Sequence, residues 1–311
     1  MRSLRFSSSP LSPKASTAAL AGLLAVAALL AAVFGARAAG PARPMHVERL
    51  AARAGEASTN WAGYAVTGAD TNSPIAFTSV TGTWTQATAT CGPGDGRAAS
   101  AAWVGLGGYS LTSRAVEQIG TDADCTEDGP PSYYAWYELV PAPPVNLTIK
   151  IHPGDVITTS VNVDGDNVVL QLIDRTRHVR FTKRSSMARP DTSSAEWIAE
   201  APSSCTGFTC NPLPLANFGS VTFSRIAMIG DGHPGTLLDP SWTAVPLQLV
   251  PDGNGFGFFP GPYHGHGYGV QTSTAGTSAP GAVTLDGRSF TLNWVSDASE
   301  SGASGASAAS G

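Results

Sequence analysis

The sequence predicts an all-β domain built as an antiparallel sandwich. Three observations carry that expectation: short runs alternate polar and apolar residues with period two, no long stretch has helical periodicity, and Gly, Pro, Asn and Asp interrupt the runs at close intervals. Alternate residues of a strand face opposite sides, so each run can bury one face against a second layer. The clearest strands cover residues 80–85, 156–163, 168–173 and 290–295. Asp164-Gly165-Asp166-Asn167 lies between the second and third and has the residue types of a tight hairpin turn. Residues 252–280 differ, because Phe256-Gly257-Phe258-Phe259 and Tyr263-His264-Gly265-His266-Gly267-Tyr268 read as a Gly-aromatic segment too irregular for a strand. An ordered surface loop is expected there.

The ends read differently from the middle. Arg2, Arg5 and Lys14 precede an apolar run over residues 18–34, and Ala36-Arg37-Ala38 has the small-x-small pattern of a cleavage site. Residues 1–38 are therefore expected to be a signal peptide. The competing reading is an uncleaved anchor, since the run lies at the short edge of spanning length. Residues 39–57 form a short propeptide or linker, the catalytic-size domain covers residues 58–297, and residues 298–311, rich in Ser, Gly and Ala, form a disordered tail.

Charged residues are 13% of the chain, against roughly 25% in an ordinary soluble domain, and the net charge is -5. From Ser58 onward the cations are Lys150, Lys183 and nine arginines, too sparse for a phosphate-binding surface, so nucleic acid is not an expected partner. Arg175, Arg177, Arg180, Lys183, Arg184 and Arg189 read as a solvated hairpin. Export permits disulfides, and Cys91, Cys125, Cys205 and Cys210 allow three pairings; the short Thr206-Gly207-Phe208-Thr209 loop favours Cys205 with Cys210, leaving Cys91 with Cys125. Asn146-Leu147-Thr148 is an N-glycosylation sequon, relevant only in a host that glycosylates secreted proteins.

The chain contains no HExxH, Gly-x-Ser-x-Gly, Asp-Thr-Gly, Asp-Ser-Gly or phosphate-cradling Gly-rich motif. His264 and His266 are a candidate metal pair without nearby carboxylate partners, so neither a metal nor a cofactor is expected. Four segments carry the functional signal: Trp103-Val104-Gly105-Leu106, Val116-Glu117-Gln118-Ile119-Gly120-Thr121, Tyr134-Ala135-Trp136-Tyr137-Glu138 and Ala195-Glu196-Trp197-Ile198-Ala199-Glu200. Period two puts Tyr134, Trp136 and Glu138 on one face of their strand, and Glu196, Ile198 and Glu200 on one face of theirs.

In these segments the chain resembles the glutamic peptidases, or eqolisins. Asn60-Trp61-Ala62-Gly63, Trp103-Val104-Gly105, Gln118-x-Gly120, Ala135-Trp136-Tyr137-Glu138, Pro153-Gly154-Asp155, Ala195-Glu196-Trp197-Ile198-x-Glu200 and Leu213-Pro214-Leu215-Ala216-Asn217-Phe218 match its motifs in order from Ser58 to Val295. The chain departs from the pattern at Gly107 and Tyr134, where family members often carry Asp, and in residues 252–280. The resemblance implies two curved, packed sheets of the concanavalin A type, a concave face that binds an extended polypeptide, and a catalytic pair made of Gln118 and Glu200. Glu200 would take a proton from water and return it to the leaving nitrogen, while Gln118 would hold that water and donate to the oxyanion, a role worth about 3 to 4 kcal/mol.

Acid catalysis requires Glu200 to keep an ordinary or lowered pKa, with neighbouring donors as the expected device. Trp61, Trp103 and Trp136 are expected as cleft walls, Trp197 as core, and Glu138 as a second carboxylate in the substrate site. Glu196 shares a face with Glu200, and periodicity alone does not choose between them. The expected protein is a secreted monomeric endopeptidase acting on polypeptides. The rival readings are a sandwich glycoside hydrolase using Glu138 and Glu200, and a non-catalytic sugar-binding module.

Overall fold

A computed structural model describes residues 55–68, 74–92, 95–110, 112–126, 129–206, 209–250, 257–259, 265–267 and 276–296. Among these residues every regular element is a strand. The back layer runs β10 (Val179–Ser186), β9 (Asn167–Asp174), β8 (Val156–Asp164), β3 (Phe77–Thr85) and β14 (Ser220–Gly230), all antiparallel. The front layer runs β7 (Val145–Lys150), β6 (Ser132–Leu139), β5 (Glu117–Asp124), β4 (Ala99–Leu106), β11 (Ser194–Glu200), β2 (Trp61–Gly68), β16 (Trp242–Leu249), β19 (Thr277–Pro280) and β20 (Phe290–Val295).

The two layers are joined through β14, whose Ser220–Phe223 portion pairs with β20 and whose Ser224–Gly230 portion pairs with β3. The pairing register shifts between Ser224 and Ala227, where Arg225 has φ of 52°. A bulge bends a strand, and here it turns one strand from sheet to sheet. Smaller pieces flank the layers: β1 (Glu56–Ser58) lies parallel to β16, β15 (His233–Gly235) pairs with β14, and β12 (Ser203–Thr206) pairs with β13 (Thr209–Pro212).

Alternation explains the layering. In β8 the side chains of Ile157, Thr159, Val161 and Val163 are buried, and in β9 those of Val168, Leu170 and Leu172, as period two requires. They meet Val104, Leu106, Ile119, Ala195 and Trp197 from the front layer. Two indoles bond between layers: Trp84 of β3 donates to Thr121 Oγ1 at 3.1 Å, and Trp197 of β11 donates to the Thr81 carbonyl at 2.9 Å. Trp197 is thus in the inter-sheet core, as its position opposite Glu200 implied.

The hairpin at residues 164–167 forms with Asp164 opposite Asn167 and Gly165 at φ of 55°. Arg175, Arg177, Arg180 and Arg184 are exposed around the β9–β10 hairpin. A disulfide joins Cys91 to Cys125, with Cα atoms 5.7 Å apart. The backbone register places Cys205 directly opposite Cys210 across β12 and β13. Residues 252–280 differ from the expected strand-free loop: β17 (Gly257–Phe259) pairs with β18 (Gly265–Gly267), and β19 begins at Thr277. Glycine and aromatic residues conceal the alternation, while a backbone ladder needs only exchanged N–H and C=O groups. His264 and the side chain of His266 lie outside the described residues, as do most of residues 1–57 and all of residues 298–311.

Candidate active site

The face of the front layer turned away from the inter-sheet core carries the candidate residues in three rows. Reading across β11, β4, β5 and β6, one row is Glu196, Gly105, Gln118, Glu138. The next is Ile198, Trp103, Gly120, Trp136, and the third is Glu200, Ala101, Asp122, Tyr134. Trp61 lies opposite Glu200 on β2. Four segments far apart in sequence thereby converge because paired strands bring directly opposite side chains to within a few ångströms.

Trp103 ties the rows together. Its Nε1–H donates to Glu200 Oε2 at 2.7 Å, while its Cζ3 atom, at the other end of the indole, leans over Gly105. The ring therefore runs lengthwise along β4 from the Glu200 row to the Gln118 row. Two glycines make room for it. A Cβ on Gly120 would lie 2.5 Å from Trp103 Cβ and 2.4 Å from the Ala102 carbonyl oxygen, and one on Gly105 would lie 3.0 Å from Trp103 Cζ3 and 3.2 Å from Gln118 Cβ. The glycine in each motif is a seat for this indole.

Gly105→Ala is expected to keep the fold and displace Trp103 or Gln118 by a few tenths of an ångström. A bond to a charged group is worth roughly 1.5–3 kcal/mol, so weakening the Trp103 contact should lower kcat/KM roughly 10-fold or more. Steady-state kinetics beside a thermal melt checks this; wild-type kcat/KM in a stable Gly105→Ala protein would contradict the seat.

Glu200 also accepts from Asn60 Nδ2 at 3.1 Å. Gln118 Nε2 donates to Glu138 Oε2 at 2.7 Å, and its Oε1 is buried without a partner among the described residues. Trp61 packs edge-on against Trp103 with ring centroids 5.0 Å apart. Trp61, Trp103 and Trp136 do line this face, but they are almost fully buried, with Val116, Val140, Ile198 and Leu247 in one apolar cluster. They form a floor as much as walls.

The expectation for the Glu200 pKa is corrected. The donors are present, yet burial outweighs them and, with the negative charges of Glu138 and Asp122, pushes Glu200 up to about 8 despite the Trp103 and Trp61 hydrogen bonds. Burial also raises Glu138 to about 7, against the lowering effect of the Gln118 bond. Glu196, wholly buried, is raised well above its usual range by burial and by Asp191 and Glu117, against a lowering contact with Ser194. Its charged neighbours are Asp191 and Glu117, whereas those of Glu200 are Glu138 and Asp122.

Asp122 and Asp124 were not singled out by the sequence, and Asn60 entered only as part of the Asn60-Trp61-Ala62-Gly63 motif. Asp122 follows Gln118 by two strand periods and so had to share its face. Asn60 reaches Glu200 across 140 positions of sequence, which no local pattern reveals.

Comparison with known proteins gives the arrangement a context. Scytalido-glutamic peptidase, solved with a transition state analog inhibitor, is similar to this chain at 25% identity, covering 76% of this chain and 98% of that one with a TM-score of 0.57. A fold match of similar extent, at 24% identity and a TM-score of 0.54, is SCP-B, a member of the eqolisin family solved with the tripeptide Ala-Ile-His; it covers 76% of this chain and 98% of that one. Aspergillopepsin-2 of Aspergillus niger is 28% identical over 221 residues, 64% of this chain and 73% of that protein. Residues 59–244, more than half of the chain, match the Peptidase A4 family, and the chain belongs to that family of peptidases, the glutamic peptidases or eqolisins.

Proposed function

We propose that this chain is a secreted acid endopeptidase that hydrolyses unfolded polypeptides with Gln118 and Glu200. The observation that carries this reading is the Trp103 bridge, which holds Glu200 at one end and packs beside Gln118 at the other. An amide has two N–H donors and one carbonyl acceptor. With one N–H of Gln118 committed to Glu138, its Oε1 can accept from a water and its second N–H can donate to an oxyanion. The water oxygen attacks the scissile carbonyl carbon while Glu200 takes the water proton. The developing oxyanion is held by Gln118, and Glu200 then returns the proton to the leaving nitrogen as the C–N bond breaks.

The same water donates to the Glu200 carboxylate beside Trp103 and Asn60, a further donor that favours the ionised form. Glu200 is taken as the base from the motif and from its bond to Trp103; Glu196, in the Gln118 row across Gly105, is the rival carboxyl. The tripeptide and the transition state analog bound by the two relatives support a polypeptide substrate. Trp61, Trp103, Trp136 and Glu138 form the substrate-binding face. Residues 1–38 act as the export signal, residues 39–57 as a short propeptide or linker and residues 298–311 as a tail on a monomer, with Cys205 bridged to Cys210. No helix among the described residues is long and apolar enough to cross a membrane.

Incubating the purified full-length chain with a denatured protein between pH 2 and 8 tests the reading. Cleavage should be greatest below pH 5 and unaffected by pepstatin, serine-directed reagents or chelators. A neutral optimum abolished by a chelator would contradict it, as would hydrolysis of laminarin or xylan that survives Gln118→Ala.

A further inference from the structure

Beside the Glu200 row, one hydroxyl serves two carboxylates. Tyr134 Oη lies 2.8 Å from Asp122 Oδ2 and 2.9 Å from Asp124 Oδ2. Asp122 and Asp124 are two positions apart on β5 and so share its outer face. A phenol has one hydrogen, which it can donate to one oxygen only. The second contact is a hydrogen bond only if that carboxyl carries a proton and donates it to the phenol oxygen.

We propose that Tyr134 is a positioning residue which, by sharing one proton between Asp122 and Asp124, fixes the Trp136 side of the substrate face. Asp122 is the link: its Oδ1 accepts from Trp136 Nε1 at 2.7 Å, and Trp136 lies across Gly120 from Trp103. While the pair holds a proton, both carboxyls have donors and Trp136 is anchored. When that proton leaves, two carboxylates compete for one hydroxyl hydrogen in a buried setting, and the anchor loosens. Burial and the charge of Asp124 raise Asp122 to about 8, against the Tyr134 and Trp136 bonds, so the proton is retained in acid. The other titratable groups that face the pair are Glu200 from β11, whose own proton is held more tightly because of Asp122, and Lys150 from β7, directly opposite Tyr134. The facing β4 residues Ala99, Ser100 and Ala101 do not titrate.

The kinetic half of the inference rests on the peptidase reading; the shared proton does not. Tyr134→Phe removes the common donor, whereas Asp124→Asn supplies a permanent N–H to the phenol oxygen and removes one charge. The alkaline limb of kcat/KM is expected to move up by about one pH unit in Tyr134→Phe, because the phenol hydrogen bond that favours the ionised carboxyls is gone, and to flatten in Asp124→Asn, where the one remaining carboxylate keeps the phenol hydrogen at every pH; KM at pH 3 should rise in Tyr134→Phe only. Thermal midpoints recorded over the same pH range should follow the same pattern. That pattern in a chain without peptidase activity would support the shared proton and overturn the Gln118–Glu200 assignment. Equal destabilisation of both variants with unmoved pH profiles would overturn the inference.

Discussion

Gln118→Ala and Glu200→Gln are each expected to fold and to lose kcat/KM by at least about 10²–10³-fold. Removing one oxyanion donor costs roughly 2.7–4 kcal/mol, and removing a general base forfeits a factor of roughly 10²–10⁴. Both substitutions keep strand patterning and leave the inter-sheet core untouched, because both side chains lie on the face away from it. The two residues act on one water and one tetrahedral intermediate, so the double variant should be scarcely worse than the more damaged single one. Additive losses would mean that the two residues act in separate steps.

Raising the pH from 4 to 8 is expected to unfold the protein or lower its thermal midpoint by at least about 20 °C. The groups responsible are Glu117, raised to about 9 mainly by burial, Asp122, raised to about 8, and Glu138, raised to about 7. Each holds its proton more tightly folded than unfolded. The stability each contributes is therefore complete below its unfolded value near 4 and is lost as the pH climbs toward 7–9. Moving Glu117 alone from 4.5 to about 9 is worth on the order of 5 kcal/mol at pH 8. A whole domain has about 5–15 kcal/mol to lose, and a domain of this size moves roughly 2–4 °C per kcal/mol. Calorimetry across that range checks the direction, and a midpoint that rises from pH 4 to 8 would show that these carboxyls are ionised in the folded chain.

Much of this fold was legible because alternation is a local property. Residues 156–163 and 168–173 could be placed by counting, since a strand with one buried face must repeat every second residue. The bend in β14 at Arg225 was not legible, because it depends on which two sheets the strand must join. Nor was the ladder between Gly257–Phe259 and Gly265–Gly267, whose glycines carry no alternation to read. At the site, the motifs singled out Gln118, Glu138, Trp103 and Glu200, which the register puts on one face, but the direction of the Glu200 pKa depends on burial created by distant segments. Tyr134 was visible as a departure, yet its two carboxylate partners needed the β5–β6 register to be recognised.

Periodicity leaves Glu196 and Glu200 equivalent, and the register puts Glu196 in the Gln118 row and Glu200 beside the Trp103 indole N–H. Steady-state kcat/KM for Glu196→Gln and Glu200→Gln, measured together at acid pH on a denatured protein substrate, tests the assignment directly. Glu200→Gln should fall below about a hundredth of wild type while Glu196→Gln keeps most of its activity. Loss of activity in Glu196→Gln, with Glu200→Gln retaining more than about a tenth, which is under roughly 1.4 kcal/mol of transition-state stabilisation, would place the base on the wrong residue.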